Sequence, residues 1–342
     1  MGNGSLSRKG RTQMEKRMLG KTGWRVAPVG LGCMGFSHAY GTAVDRKEAV
    51  NTIRAAAEMG YDFFDTAECY TGVNADGSTS YNEEIVGEAL RPVRDRVILA
   101  TKFGVTHAGD HLEMDSCPET IRKSVEGSLK RLGVEMIDLY YQHRIDPNVP
   151  PEVVAETMGE LIQEGKIRSW GISETTEDYL RRAHAVCPVT AIQNRYSMMA
   201  RWHEKLFPVV EELGVTYVAF SPLANGILTG AYAAGSKFAQ GDFRNDMPQY
   251  QPNAEENNRR LLDQIQRLAE EKGATPSQIS LAWMLGKKPY ILPIPGSRKA
   301  ERLRENLAAG EIALSKEEIQ TIDRLLAQME FQVFGGHSAA KT

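Results

Sequence analysis

VILATKFG at residues 97–104 and CPETIRKSVEGSLKRLGVEMIDLYYQH at residues 117–143 contain the reading that decides the fold. The first is a short apolar run of strand-forming residues ending at a lysine. Residues Cys117–Leu132 have helical spacing, with Pro118 at a first-turn position and Gly133 just past the end, where glycine supplies a left-handed cap. A second apolar run then begins at Ile137.

Outward from this unit the alternation repeats. Strands are expected to begin near Pro28, Tyr61, Val97, Ile137, Ile167, Thr190, Thr216 and Tyr290. Helical patterns follow them at Lys47–Met59, Tyr81–Leu90, Cys117–Leu132, Pro151–Glu164, Thr176–Val186, Glu204–Leu213, Asn257–Lys272 and Lys299–Ala309. Eight alternations predict a (β/α)8 TIM barrel. Lys16–Leu19 and Arg25–Val29 read as a β-hairpin ahead of it, and Thr275–Leu285 and Ser315–Leu326 as extra helices near the C-terminus. Ala224–Pro252 reads as a long polar loop of the kind that covers a site.

The rival is a doubly wound open sheet with a dinucleotide-binding turn after its first strand. Gly30-Leu-Gly-Cys-Met-Gly35 has the G-x-G-x-x-G spacing, but Phe36–Asp45 reads as loop, so no helix opens there. The barrel is expected as one domain over residues 16–330, with a disordered tail at 1–15 and a flexible one at 331–342.

Composition sets the class. The 342 residues are 42% hydrophobic and 25% charged, with a formal net charge of −3. That excludes a collagen, a disordered chain and a disulfide miniprotein, and gives no field for nucleic acid or an anionic membrane. No apolar run is long enough to span a bilayer, residues 1–13 have no secretory core, and Leu6 stands where a myristoylation motif needs Ser or Thr. Cys33, Cys69, Cys117 and Cys187 have no zinc spacing and fit reduced thiols of a cytoplasmic enzyme. His107 and His111 are four apart, but Gly109 between them argues against a shared helix face, so no metal is expected.

In a barrel, chemistry sits where strands end. The second strand ends at Asp65, with Tyr70 in the following loop, the third at Lys102 and the fourth at His143. An ammonium beside a phenol lowers its pKa from the ordinary value of about 10, and a carboxylate keeps the ammonium charged. A histidine in the same pocket can hydrogen-bond a substrate oxygen. The set predicts proton transfer to a carbonyl oxygen without a metal.

Asp65-Thr-Ala-Glu-Cys-Tyr70, Thr101-Lys-Phe-Gly104 and Gln142-His143 resemble the aldo-keto reductases. So do Gly171-Ile-Ser-Glu174, Gln193-Asn-Arg-Tyr-Ser197, Phe220-Ser-Pro-Leu223 and Pro295-Gly-Ser-Arg-Lys299, in family order over roughly residues 18–326. The branch most resembled is the bacterial and plant auxin-induced-protein-like reductases that use NADPH. The resemblance implies Tyr70 as general acid, Lys102 and Asp65 as its tuning pair, and His143 orienting the carbonyl. It implies Ser173, Glu174 and Gln193 at the nicotinamide carboxamide and Phe220 stacked on the ring. Ser221, Leu223 and Gly226 would lie along the pyrophosphate. Ser297, Arg298 and Arg302 would hold the 2′-phosphate, with Glu305 and Asn306 at the adenine.

Glu174 departs from the asparagine of many relatives, and a carboxylate cannot donate to the carboxamide oxygen. Lys and Arg at the start of the last barrel helix oppose its dipole, a conflict that a bound phosphate resolves. Cys33 and Cys69 are placed near the cofactor or Tyr70 without a chemical role, and Trp202 near the rim. Tyr140 and Tyr141 must face opposite sides of their strand. The expected function is NADPH-dependent reduction of a small aldehyde or ketone. The alternative is a cofactor-sensing regulatory protein of the same fold. Phe36–Val44, Val105–Asp115 and Ala224–Pro252 would choose the substrate, and their sequences carry no readable code. Nothing in the sequence speaks to oligomeric state.

Overall fold

The computed structural model describes residues 14–109 and 111–335. Most of both expected tails, at 1–13 and 336–342, lies outside the described residues, as does Asp110.

Eight parallel strands form one sheet in sequence order. They are β1 (Leu31–Gly32), β2 (Phe63–Asp65), β3 (Ile98–Phe103), β4 (Ile137–Gln142), β5 (Ile167–Ser173), β6 (Ala191–Arg195), β7 (Thr216–Phe220) and β8 (Ile291–Pro293). The sheet closes into a barrel where the first strand meets the last. Gly30 N–H donates to the Pro293 carbonyl at 3.0 Å and Gly32 N–H to that of Pro295 at 3.4 Å. Glycine is required at this seam, because a Cβ on Gly32 would lie 2.8 Å from the Ile294 carbonyl oxygen. Residues 30–35 therefore serve closure, and only a 3-10 turn, Met34–Phe36, follows them.

A helix follows each strand: α1 (Arg46–Met59), α2 (Asn82–Leu90), α3 (Pro118–Leu132), α4 (Pro151–Gln163), α5 (Glu177–Val186), α6 (Phe207–Leu213), α7 (Glu255–Lys272) and α8 (Ala300–Leu307). Local chemistry sets their ends. Asp45 accepts the Glu48 N–H at the start of α1, and Gly60 closes it in the left-handed region at φ 111°. The two extra helices run over Pro276–Lys287 and Lys316–Leu326, each opened by a reciprocal capping box.

Alternate strand residues feed two separate cores. Phe63, Ala100, Leu139, Tyr141, Ala191, Val218 and Leu292 fill the barrel, and Leu19 and Val26 of the N-terminal hairpin join them. Tyr140 points the other way, into the layer between strands and helices, 5.0 Å from the Phe103 ring. Each large side chain buried in this way contributes about 1.5–3 kcal/mol.

Three segments differ from the sequence reading. Residues 105–115 form an antiparallel hairpin, Val105–Ala108 with His111–Met114, where a loop is expected. Its second strand is exposed, so no apolar alternation announced it. A second hairpin, Thr71–Val73 with Thr79–Tyr81, lies between β2 and α2. The segment after β7 is built from 3-10 turns. Part of it is organised around Arg244, whose guanidinium sits 4.0 Å from the Phe238 ring centroid and pairs with Asp242 at 2.6 Å. The described cysteines are all free thiols, and no described helix is long and apolar enough to cross a membrane.

Candidate active site

A cleft of about 850 Å³ opens at the C-terminal ends of the strands. Asp65 closes β2 and Lys102 lies near the end of β3, so adjacent strands place them side by side. Lys102 Nζ donates to Asp65 Oδ1 at 2.5 Å, to the Thr66 carbonyl at 2.7 Å and to Tyr70 Oη at 3.4 Å. Lys102 is fully buried. Burial opposes its charge, but Asp65 and Tyr70 outweigh that cost and hold its pKa above the ordinary value. The ammonium also lies 4.9 Å from the Tyr70 ring centroid.

Tyr70 is fixed by its backbone. Its carbonyl accepts from Asn82 N–H and from Ser37 Oγ. Its ring stacks on His38 at 5.9 Å and meets His143 edge-on at 5.6 Å. The structure corrects one expectation here. Burial pushes the Tyr70 phenol up to about 12, and the opposing pull of Lys102 is the smaller effect. In the resting site the tyrosine is a neutral acid.

His143 follows β4, anchored by its N–H to the Phe103 carbonyl. Burial, then the cations Arg144 and Lys102, hold its pKa well below the ordinary imidazole value, so the ring is neutral. Its Nδ1 lies 3.4 Å from Cys69 Sγ.

Ser173 and Gln193 end β5 and begin the exit of β6. Ser173 Oγ donates to the Gln193 carbonyl at 2.9 Å and accepts from Arg144 at 3.1 Å. Gln193 Nε2 donates to Asp65 Oδ2 at 2.7 Å. Glu174 does not join them. Its carboxylate accepts the Arg195 N–H at 2.8 Å and faces His203 Nε2 at 3.5 Å, and it is absent from the cleft wall. Those donors outweigh burial and keep its pKa low. The expected contact with a carboxamide is thus not set up in this geometry.

Phe220 ends β7 with Arg195 4.9 Å from its ring centroid, and Phe334 of the C-terminal segment covers the same guanidinium at 5.6 Å. Beyond it the backbone turns left-handed at Ser221 (φ 50°), Ala224, Asn225 and Gly226 (φ 108°). Three of these residues have a Cβ, so each is strained, as backbone held for a ligand often is. Ser221, Leu223 and Gly226 all line the cleft.

After β8 the chain enters α8 through Ser297 and Arg298. Arg298 donates to the Gly35 and Tyr40 carbonyls at 2.6 and 3.1 Å, which stretches it across the rim toward the β1 loop. Arg302 pairs with Glu305 at 2.7 Å, and the other Glu305 oxygen accepts from Thr275. Ser297, Arg298, Arg302 and buried Asn306 line the cleft. Glu305 does not, and neither does Trp202, which packs beside His203.

The sequence reading missed Arg144, Arg195, His38 and Phe334, all on the cleft wall. Arg144 was within reach of it, standing next to a candidate residue at a strand end. Arg195 closes β6 inside a motif already quoted, and His38 and Phe334 arrive from loops with no periodic signal.

Comparison with known proteins identifies the family. The model of the Aldo/keto reductase family matches residues 28–327. The probable aldo-keto reductase 1 of Glycine max is 36% identical over 313 residues, covering 91% of this chain and 88% of that protein. The structure of glycerol dehydrogenase from Gluconobacter oxydans superposes with a TM-score of 0.83 at 28% identity, over 96% of this chain and all of the other. An aldo/keto reductase from Klebsiella pneumoniae, solved in complex with NADP and acetate, superposes with a TM-score of 0.68 at 29% identity, over 94% of this chain and 99% of the other.

Proposed function

Since the chain belongs to the aldo/keto reductase family, we propose that it reduces an aldehyde or ketone to an alcohol with NADPH, using Tyr70 as the general acid. The observation that carries this reading is the chain of contacts Asp65–Lys102–Tyr70, which ends on a phenol at the wall of the cleft.

NADPH, when bound, supplies the hydride that adds to the carbonyl carbon. The carbonyl π pair then moves onto the oxygen, which takes the proton from Tyr70 Oη. The phenolate left behind lies beside the Lys102 ammonium, and Asp65 holds that ammonium charged and aimed. The role of Lys102 is therefore to stabilise the phenolate as it forms. A neutral phenol is what the step needs at its start. His143, neutral and adjacent to Tyr70, donates a second hydrogen bond to the substrate oxygen.

The residues present fit the cofactor. Ser173 and Gln193 stand where a carboxamide can meet them, and Phe220 offers a ring for stacking. The strained turn at Ser221–Gly226 brings backbone close to a diphosphate. Ser297, Arg298 and Arg302 surround the start of α8, whose first N–H groups favour an anion. Asn306, on the cleft wall, would meet the adenine.

The test is Tyr70→Phe assayed for NADPH oxidation against aromatic aldehydes, dicarbonyls and quinones. Loss of the hydroxyl should reduce kcat by 100-fold or more, an effect on the order of general-acid catalysis, and leave the Kd for NADPH nearly unchanged. A variant that keeps more than a few per cent of kcat would remove Tyr70 from the role.

A further inference from the structure

His143 presents two ring nitrogens, and only one of them faces a protein partner. Nδ1 lies 3.4 Å from the Cys69 sulfur, a normal length for a hydrogen bond to a thiol. Among the described residues Nε2 has no hydrogen-bond partner, and His143 is part of the cleft wall. A neutral imidazole carries one proton, and the hydrogen bond made by one nitrogen decides which of the two holds it. We propose that Cys69 is a positioning residue: its S–H donates to His143 Nδ1 and so fixes the ring proton on Nε2, facing the substrate oxygen. This rests on the reading that the cleft binds a carbonyl compound between Tyr70 and His143.

Three observations support that direction of donation. Cys69 retains its proton, because burial pushes the thiol up to about 12 against the smaller pull of Lys102. Among the described residues the thiol has no other acceptor, whereas Nδ1 offers a lone pair at hydrogen-bond distance. With the reverse tautomer Nε2 would turn a lone pair toward a carbonyl oxygen, and the two would repel. The neighbouring residue gives the geometry its rigidity. Cys69 directly precedes Tyr70, whose backbone is held by Asn82 and Ser37. One short segment therefore carries the acid and also sets the proton of its helper. No step of the reaction passes through the sulfur.

The experiment uses the full chain with 15N-labelled histidine, and His143→Gln to assign the signals. Wild type should give His143 as the Nε2–H tautomer, with Nδ1 as acceptor. Cys69→Val nearly fills the space but removes the donor. Its His143 should exchange between tautomers, and kcat for 4-nitrobenzaldehyde should fall about 3- to 10-fold, the range expected for one hydrogen bond. The KM for NADPH should stay within about twofold. Cys69→Ser restores a donor and should recover most of both signals. An unchanged tautomer and kcat in Cys69→Val would overturn the proposal. So would equal losses in the Val and Ser variants with the tautomer unchanged, since that pattern reports packing. A wild type that reduces no carbonyl compound would count against the proposed function instead, and the tautomer spectra would still decide the role of Cys69.

Discussion

Gln193 reaches across the top of the barrel to Asp65, its Nε2 donating to the Oδ2 of that carboxylate at 2.7 Å. Lys102 takes the other oxygen, so both sides of a buried charge are satisfied from different strands. Burial raises the Asp65 pKa, and Lys102 and Gln193 are the groups that oppose it. Gln193→Leu leaves Oδ2 without a donor in a dry site. The expected loss of unfolding free energy is about 1–3 kcal/mol in urea titration, together with a lower kcat. A loss below about 0.5 kcal/mol would mean that water replaces the amide without cost.

The raised Tyr70 pKa makes a statement about pH. An acid with a pKa of about 12 stays protonated through neutral and mildly alkaline solution. The kcat/KM for carbonyl reduction should therefore be flat with respect to Tyr70 from pH 6 to about pH 10. A fall centred near pH 8, absent from a deuterium-insensitive binding step, would contradict the burial argument. The same shift affects stability. Because the folded value lies above the unfolded one of 10.0, the Tyr70 contribution is complete below about pH 10 and is lost as pH rises through about 12. Tyr70→Phe should accordingly flatten the alkaline limb of the unfolding curve.

Arg298 and Arg302 are held at different strengths before any cofactor arrives. Arg298 is tied to two backbone carbonyls, whereas Arg302 has a surface pair with Glu305 that solvent weakens. Both can give charge-assisted hydrogen bonds to a phosphate, each worth about 1.5–3 kcal/mol. The double variant Arg298→Ala, Arg302→Ala should raise the Kd for NADPH roughly 100-fold and barely move that for NADH. Tryptophan-fluorescence titration measures both. Equal losses for the two cofactors would show that this segment does not read the 2′-phosphate.

Asp138, far from the cleft at the start of β4, tests the scaffold alone. It is fully buried, accepts the Leu99 N–H at 2.9 Å and pairs with Arg94 at 2.7 Å. Asp138→Ala strands the buried Leu99 backbone donor and takes one partner from Arg94, which keeps the Val97 and Met136 carbonyls. A loss of about 1–3 kcal/mol in unfolding free energy is expected, with kcat unchanged at low temperature. A near-neutral effect would show that the pair only offsets its own desolvation.

The barrel was legible in the sequence because its signal is periodic. Strand and helix alternate eight times, four of the helices close on a left-handed glycine, and the ends of three neighbouring strands carry Asp65, Lys102 and His143. The hairpin at 105–114 was not legible, since its second strand is exposed and shows no alternation of burial. Side-chain direction was not legible either. Glu174 stands at the expected position, but a left-handed residue at the end of β5 points it toward His203 and away from the cleft. The Tyr70 pKa depends on how much packing surrounds the ring, which no motif encodes. Cys69 and His143 are 74 residues apart and meet only because two loops converge.

The glycine seam also governs the order in which this molecule can be made. Gly30 and Gly32 find their partners only at Pro293 and Pro295, after more than 260 intervening residues have been synthesised. Bringing such distant segments together carries a large loop-closure cost and belongs late in folding. The segment at 295–302, proposed above to hold the 2′-phosphate, leaves directly from that seam. On that proposal, cofactor capture belongs to the finished barrel, and a nascent or truncated chain ending before residue 291 has the strands that carry Asp65, Lys102 and His143 without the proposed phosphate-binding segment.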